Sequence, residues 1–131
     1  MHLFVQIHPL PNQRLPQSFE GLVDVLSDLP GMCFEMDGSF VWVDQKTSPH
    51  GQMDAMVYDR DGKLEYVEVK GPCSPAQWQS LCLSICGHET VDGDEANFNE
   101  LIDPIIRVHQ TQIGEWTTAS EIFASLVRKA T

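Results

Sequence analysis

The chain has 131 residues, 42% of them apolar, which is enough for one domain with a single sizeable core and argues against wholesale disorder. Its formal net charge is −11, from 19 Asp and Glu against 8 Lys and Arg, so non-specific attraction to nucleic acid phosphates is disfavoured. No apolar run is long enough to span a membrane, and Met1–Ile7 lacks the basic and apolar regions of a signal peptide.

His2–His8 alternates as a strand, and Pro9, Pro11 and Pro16 mark an irregular connection. Over 18–29, apolar residues at 19, 22, 23, 26 and 29 predict a helix that Pro30-Gly31 ends. Residues 32–43 read as strand, clearest at Phe40–Val43, with Asp37-Gly38 as a turn or bulge within it. Residues 52–70 form a β-hairpin. Ser74-Pro75 then starts a helix carrying Trp78, Leu81, Cys82 and Ile85 on one stripe, closed by Gly87. A short helix around 95–102, a strand around 105–109 and a final helix complete the chain. That last helix has Thr118-x-x-Glu121 as its capping box and Ile122, Phe123, Leu126 and Val127 on one face. The order β-α-β-β-β-α-(α)-β-α predicts an α+β (mixed α/β) single domain over 1–131, with a mostly antiparallel central sheet and helices packed on it.

The four cysteines, Cys33, Cys73, Cys82 and Cys86, fit reduced thiols in a cytoplasmic protein. Cys73, Cys82, Cys86 and His88 match no usual zinc spacing, and buried cysteines acting as small hydrophobes are expected instead. Residues 89–103 carry six acidic side chains and no Lys or Arg, as in a solvated loop and helix face, whereas Lys46, Arg60, Lys63 and Lys70 cluster centrally.

The hairpin holds the most chemistry. Its Asp59-Arg60-Asp61-Gly62-Lys63 segment predicts a three-residue loop with a bulge, pairing Asp59 with Lys63 and setting Asp54 directly opposite Glu68. Asp54, Met56 and Tyr58 would then share a face with Leu64, Tyr66, Glu68 and Lys70, with Val57, Val67 and Val69 turned to the core. Two carboxylates directly across a strand pair repel unless they are solvated, one is protonated or a cation sits between them. Lys70 supplies one positive charge, and Mg²⁺, which prefers oxygen ligands, would supply more.

The stretch from Asp54 through Glu68-Val69-Lys70 resembles the core motif of the PD-(D/E)xK nuclease superfamily, and the elements over 18–110 are similar to its αβββαβ core. The resemblance implies a small Mg²⁺-dependent phosphodiesterase, or an inactive relative. Asp54 and Glu68 would hold the metal, and Lys70 would orient the attacking water and stabilise charge on phosphate. It also implies a further metal ligand at Glu20, in the first helix, and substrate-binding residues at Gln77 and Gln79, in the second. Nucleic acid is the substrate implied, against the unfavourable charge. The plain alternative is a polar strand face at solvent, with Lys70 in a surface ion pair worth ~0–1 kcal/mol. Gln77 and Gln79 would then be solvated residues flanking an apolar stripe. The rival function is a non-enzymatic module that docks a protein partner through the Tyr- and Met-bearing sheet face or the acidic 89–103 segment.

Overall fold

The computed structural model describes residues 2–46, 51–88 and 98–130. Among them the chain runs β1 (His2–Pro9), α1 (Phe19–Ser27), β2 (Met32–Phe34), β3 (Ser39–Asp44), β4 (Gly51–Arg60), β5 (Lys63–Pro72), α2 (Pro75–Ile85), β6 (Ile106–Gln110), β7 (Glu115–Thr117) and α3 (Ala119–Ala130). A π-helical turn at Phe98–Ile102 lies between α2 and β6. The strands make one antiparallel sheet in the order β2-β3-β4-β5-β1-β6-β7, so the α+β class holds. Residues 32–43 are two strands rather than one, because the Asp37-Gly38 turn folds β3 back onto β2. Strand β7 was not expected. Residues 95–97 of the expected short helix, like most of the acidic 89–103 segment, lie outside the described residues.

Strand alternation decides where the core sits. Leu3, Val5 and Ile7 of β1, Met53, Ala55 and Val57 of β4, and Val67 and Val69 of β5 are all buried on one face. Leu22 and Leu26 of α1, Trp78, Leu81 and Ile85 of α2, and Ile122 and Leu126 of α3 complete a single cluster with them. The helices therefore cover that face, and Phe4, Gln6, His8, Asp54, Met56, Tyr58, Tyr66, Glu68 and Lys70 lie on the other, open one. Each helix starts at a hydroxyl cap, two of them expected at Ser74 and Thr118 and a third found at Ser18. Ser18 accepts from the Gly21 amide at 3.0 Å, Ser74 from Gln77 at 3.1 Å and Thr118 from Glu121 at 3.1 Å. The Phe19 amide also donates to the Gly62 carbonyl at 3.0 Å, tying the start of α1 to the hairpin turn. Helix α2 is buried on nearly every side, because α1, α3 and the π-helical turn pack around it above the sheet. Its Trp78 indole donates to the Ala119 carbonyl at 3.0 Å and joins it to α3. No described helix is long and apolar enough to cross a membrane.

The hairpin register differs from the expected one. Arg60 pairs with Lys63 across a two-residue turn, in which Asp61 (φ 53°) and Gly62 (φ 80°) both take positive φ, the mirror-image turn that matches strand twist. Glu65 is then extra on β5, so Asp59 faces Leu64 while Tyr58 faces Tyr66. Asp54 consequently lies opposite Lys70, and Glu68 opposite Met56. The physical reason lies in two side chains. The expected pairing would turn Leu64 outward and Glu65 into the core. The bulge instead buries Leu64, at 6% exposure, and frees Glu65 to pair with Arg60 at 2.8 Å. Leu64 therefore does not share the carboxylate face.

Candidate functional site on the open sheet face

The open face is a grid set by cross-strand pairing. One row runs Asp54–Lys70–Phe4 over β4, β5 and β1. The next runs Met56–Glu68–Gln6–His109–Trp116 and continues to β7. A third runs through Tyr58 and Tyr66 to His8 and Arg107. The order β4-β5-β1-β6 creates these rows, since it inserts the first strand of the chain between the β4–β5 hairpin and the last hairpin, β6–β7.

Asp54, Glu68 and Lys70 are brought together on this face. They border a shallow depression of about 180 Å³ with Ala55 and Met56. The two carboxylates are diagonal neighbours, about 7–8 Å apart at Cα, rather than directly opposed. Their surroundings already balance them. Glu68 accepts from the Gln6 amide nitrogen at 3.1 Å and has the Lys70 ammonium at 3.6 Å, while its side chain is only 19% exposed. The same ammonium lies 4.7 Å above the centre of the Phe4 ring. Asp54 is exposed and accepts from the Gln52 side chain at 3.2 Å.

The other expected site residues are elsewhere. Glu20 is exposed on α1, on the helical side of the sheet. Gln77 and Gln79 are on α2, also on the helical side, and each is 6% exposed rather than solvated. The crowding of neighbours around α2 buries its flanks as well as its stripe. Among the described residues, no three His, Cys, Asp or Glu side chains gather as a metal cage.

What the residues taken singly did not reveal is a line of rings. Tyr58 stacks on Tyr66 at 4.4 Å and 18°, and Tyr66 stacks on His8 at 4.8 Å and 10°. Trp116 meets His8 edge-on at 5.3 Å and lies 4.8 Å from His109. The Arg107 guanidinium caps the Trp116 ring at 3.8 Å and donates through Nε to the Pro9 carbonyl at 3.3 Å. His8 is 3.0 Å from the Gln6 amide oxygen, which only accepts, so its proton sits on Nε2. Gln6 thus links His8 to Glu68 by hydrogen bonds, and Glu68 in turn is ion-paired with Lys70.

No family model, curated protein or solved structure matches this chain.

Electrostatics follow from this packing. Burial, then the charges of Arg107 and His109, lower the His8 pKa below its usual 6.5, so the ring is held neutral more firmly than in water. Burial raises the Tyr66 phenol, and Tyr58, Glu68 and Glu65 push it the same way. The open face therefore presents neutral aromatic surface, flanked by Arg107 on one side and the Asp54–Lys70–Glu68 cluster on the other. Alternation in β1 and β4 marks the face of Tyr58 and His8. Trp116, on an unexpected three-residue strand, carries no such local signal.

Proposed function

We propose that this protein is a non-enzymatic binding module that docks a protein partner on the open face of its sheet. The observation that carries this reading is the row of rings from Tyr58 to Trp116, capped by Arg107 and left uncovered by any of the described helices. Tyrosine, tryptophan and arginine are the residues on which binding energy concentrates at protein interfaces. Rings already stacked on each other have little freedom left to lose on binding. The net charge of −11 steers basic partners toward the molecule and opposes phosphate backbones, which favours protein over nucleic acid. All four cysteines are free, which agrees with a reducing compartment, and we place the module in the cytoplasm. The test is affinity purification with wild type and with a Tyr58→Ala/Trp116→Ala double variant of unchanged thermal stability. The expected result is a partner retained by the wild type and lost from the variant. An identical set of captured proteins overturns the reading.

A second reading keeps the PD-(D/E)xK resemblance and makes the protein a small Mg²⁺-dependent phosphodiesterase. It is supported by the common face and shared depression of Asp54, Glu68 and Lys70. The oxygen donors suit Mg²⁺ in type, with water completing its shell, although a metal would compete with Gln6 and Lys70 for Glu68. Asp54 and Glu68 would hold the ion, which would act as a Lewis acid on a phosphoryl oxygen. Lys70 would hold and orient the water. Metal titration followed by thermal melting separates the two readings. This one expects a Mg²⁺- or Mn²⁺-dependent rise in Tm that disappears in Asp54→Asn; no response, or the same response in both proteins, sinks it.

A further inference from the structure

On the helical side of the sheet, remote from the open face, a cavity of about 590 Å³ opens between the start of α2 and the end of β3. Its walls are largely apolar, with Leu29, Pro30, Trp42 and Pro75 among them, and Gln77 lines it as well. Trp42 is not in search of a partner here, since its indole donates to the Pro30 carbonyl at 3.1 Å. Its contribution to the cavity is ring surface.

Gln77 is different. Its side-chain oxygen accepts from the Ser74 amide at 3.1 Å, and its own amide donates to Ser74 Oγ at 3.1 Å, the reciprocal cap of α2. That cap fixes which end of the side-chain amide is oxygen and which is nitrogen. The nitrogen is left over: Nε2 is buried and has no acceptor among the described residues, in a residue only 6% exposed. A buried donor without a partner costs about 1–3 kcal/mol, so its presence calls for a reason. The helix start adds a second donor. Pro75 has no amide hydrogen and the Gln77 amide is taken, but Ala76, which also lines the cavity, has an N–H that α2 cannot pair. Both donors sit at the positive end of the helix dipole. Lys46 adds a cation to the lining, while the Asp44 carboxylate nearby already accepts from the Lys46 backbone amide at 3.0 Å.

We propose that this cavity is a binding site for a small apolar carboxylate, with the acid group received by Gln77 Nε2 at the start of α2 and the apolar body lying against Trp42. The volume falls within the usual range of small-molecule sites, and an apolar pocket with few convergent polar groups is their usual build. The site is independent of the open face, and neither needs the other.

The test uses two probes with one ring and opposite polarity, 1-naphthaleneacetate and 1-naphthylmethylamine, titrated into the ¹⁵N-labelled full chain. The acetate is expected to shift the Gln77 side-chain amide and the Trp42 indole saturably, and to bind at least about tenfold more tightly than the amine. Gln77→Glu retains an oxygen for the Ser74 cap but turns the donor into an acceptor, and is expected to lose the acetate by a similar factor. Trp116→Ala, on the open face, is expected to bind it as the wild type does. The proposal is overturned if the wild type shows neither shift, if the amine binds as well as the acetate, or if a folded Gln77→Glu keeps its affinity. The two-probe comparison in wild type decides even where that variant does not fold.

Discussion

Deleting Glu65 is expected to be nearly harmless, although it removes a residue from the middle of a paired strand. Arg60 pairs with Lys63, Asp59 with Leu64 and Tyr58 with Tyr66, so Glu65 is the residue on β5 that has no opposite number. Without it, Leu64 still points to the core and Tyr66 to the open face, now as direct neighbours in regular alternation. The loss from the folded state is the Arg60–Glu65 ion pair, whose side chains are 81% and 40% exposed, a surface contact worth about 0.2–1 kcal/mol. Deleting Glu68 instead makes a control of the same residue type on the same strand. With Val69 to Pro72 anchored on β4 and β1, that deletion uses up the spare residue, so Leu64 stays in place while Val67 turns to solvent and Tyr66 into the core. The lost burial of Val67 costs about 1.5–3 kcal/mol, and forcing the larger Tyr66 into its place adds an overpacking cost of about 1–3 kcal/mol. Urea unfolding followed by tryptophan fluorescence measures both, with ΔG taken from the midpoint and slope. A Glu65 deletion as damaging as the Glu68 deletion would refute the bulge and the register built on it.

Three further outcomes are expected. A double-mutant cycle on Tyr58→Ala and Tyr66→Ala should give a coupling of about 0.5–1.5 kcal/mol in urea unfolding, and a value near zero means the rings do not stack in solution. The His8 pKa is lowered in the folded protein, so the unfolded chain binds the proton more readily. His8's contribution to stability is therefore complete above pH 6.5, falls as pH drops through 6.5 and levels off beneath the folded value. His8→Gln should flatten that part of the urea-midpoint profile, and an unchanged profile refutes the assignment. In thiol labelling of the native protein, Cys33 alone should react promptly. Cys73, Cys82 and Cys86 are buried, and burial pushes the Cys86 thiol up to about 12, so they should react only once the chain is unfolded. Fast native labelling of a second thiol counts against the described packing of α2.

Much of the fold was legible because its signals are local. The Ser74 and Thr118 hydroxyls each announce a helix within three residues, and each makes the cap it announces. Alternation in β1, β4 and β5 separates Leu3, Val5, Val57, Val67 and Val69 from their polar neighbours, and all five are buried. The aromatic row was hidden because its members come from residues 8, 58, 66 and 116. Only the sheet order sets those positions side by side. The expected solvation of Gln77 and Gln79 fails for a related reason. Helical periodicity describes one stripe, but the number of neighbours packed around α2 is a tertiary property.

The hairpin register lies between these cases. Asp-Gly is compatible with either turn, and the decision falls to Leu64 and Glu65, whose order Lys63-Leu64-Glu65-Tyr66 cannot alternate correctly without an extra residue. The resulting shift of two positions leaves every side chain from Tyr66 onward on the face first expected, because the strand period is also two. What changes is the pairing. Asp54 meets a lysine rather than a second carboxylate, and Glu68 meets Gln6 and Lys70. The repulsion that made a bridging cation attractive is therefore largely absent from the folded chain. A metal at Asp54 and Glu68 would have to displace contacts already made, whereas Tyr58 and Trp116 of the aromatic row stand exposed among the described residues.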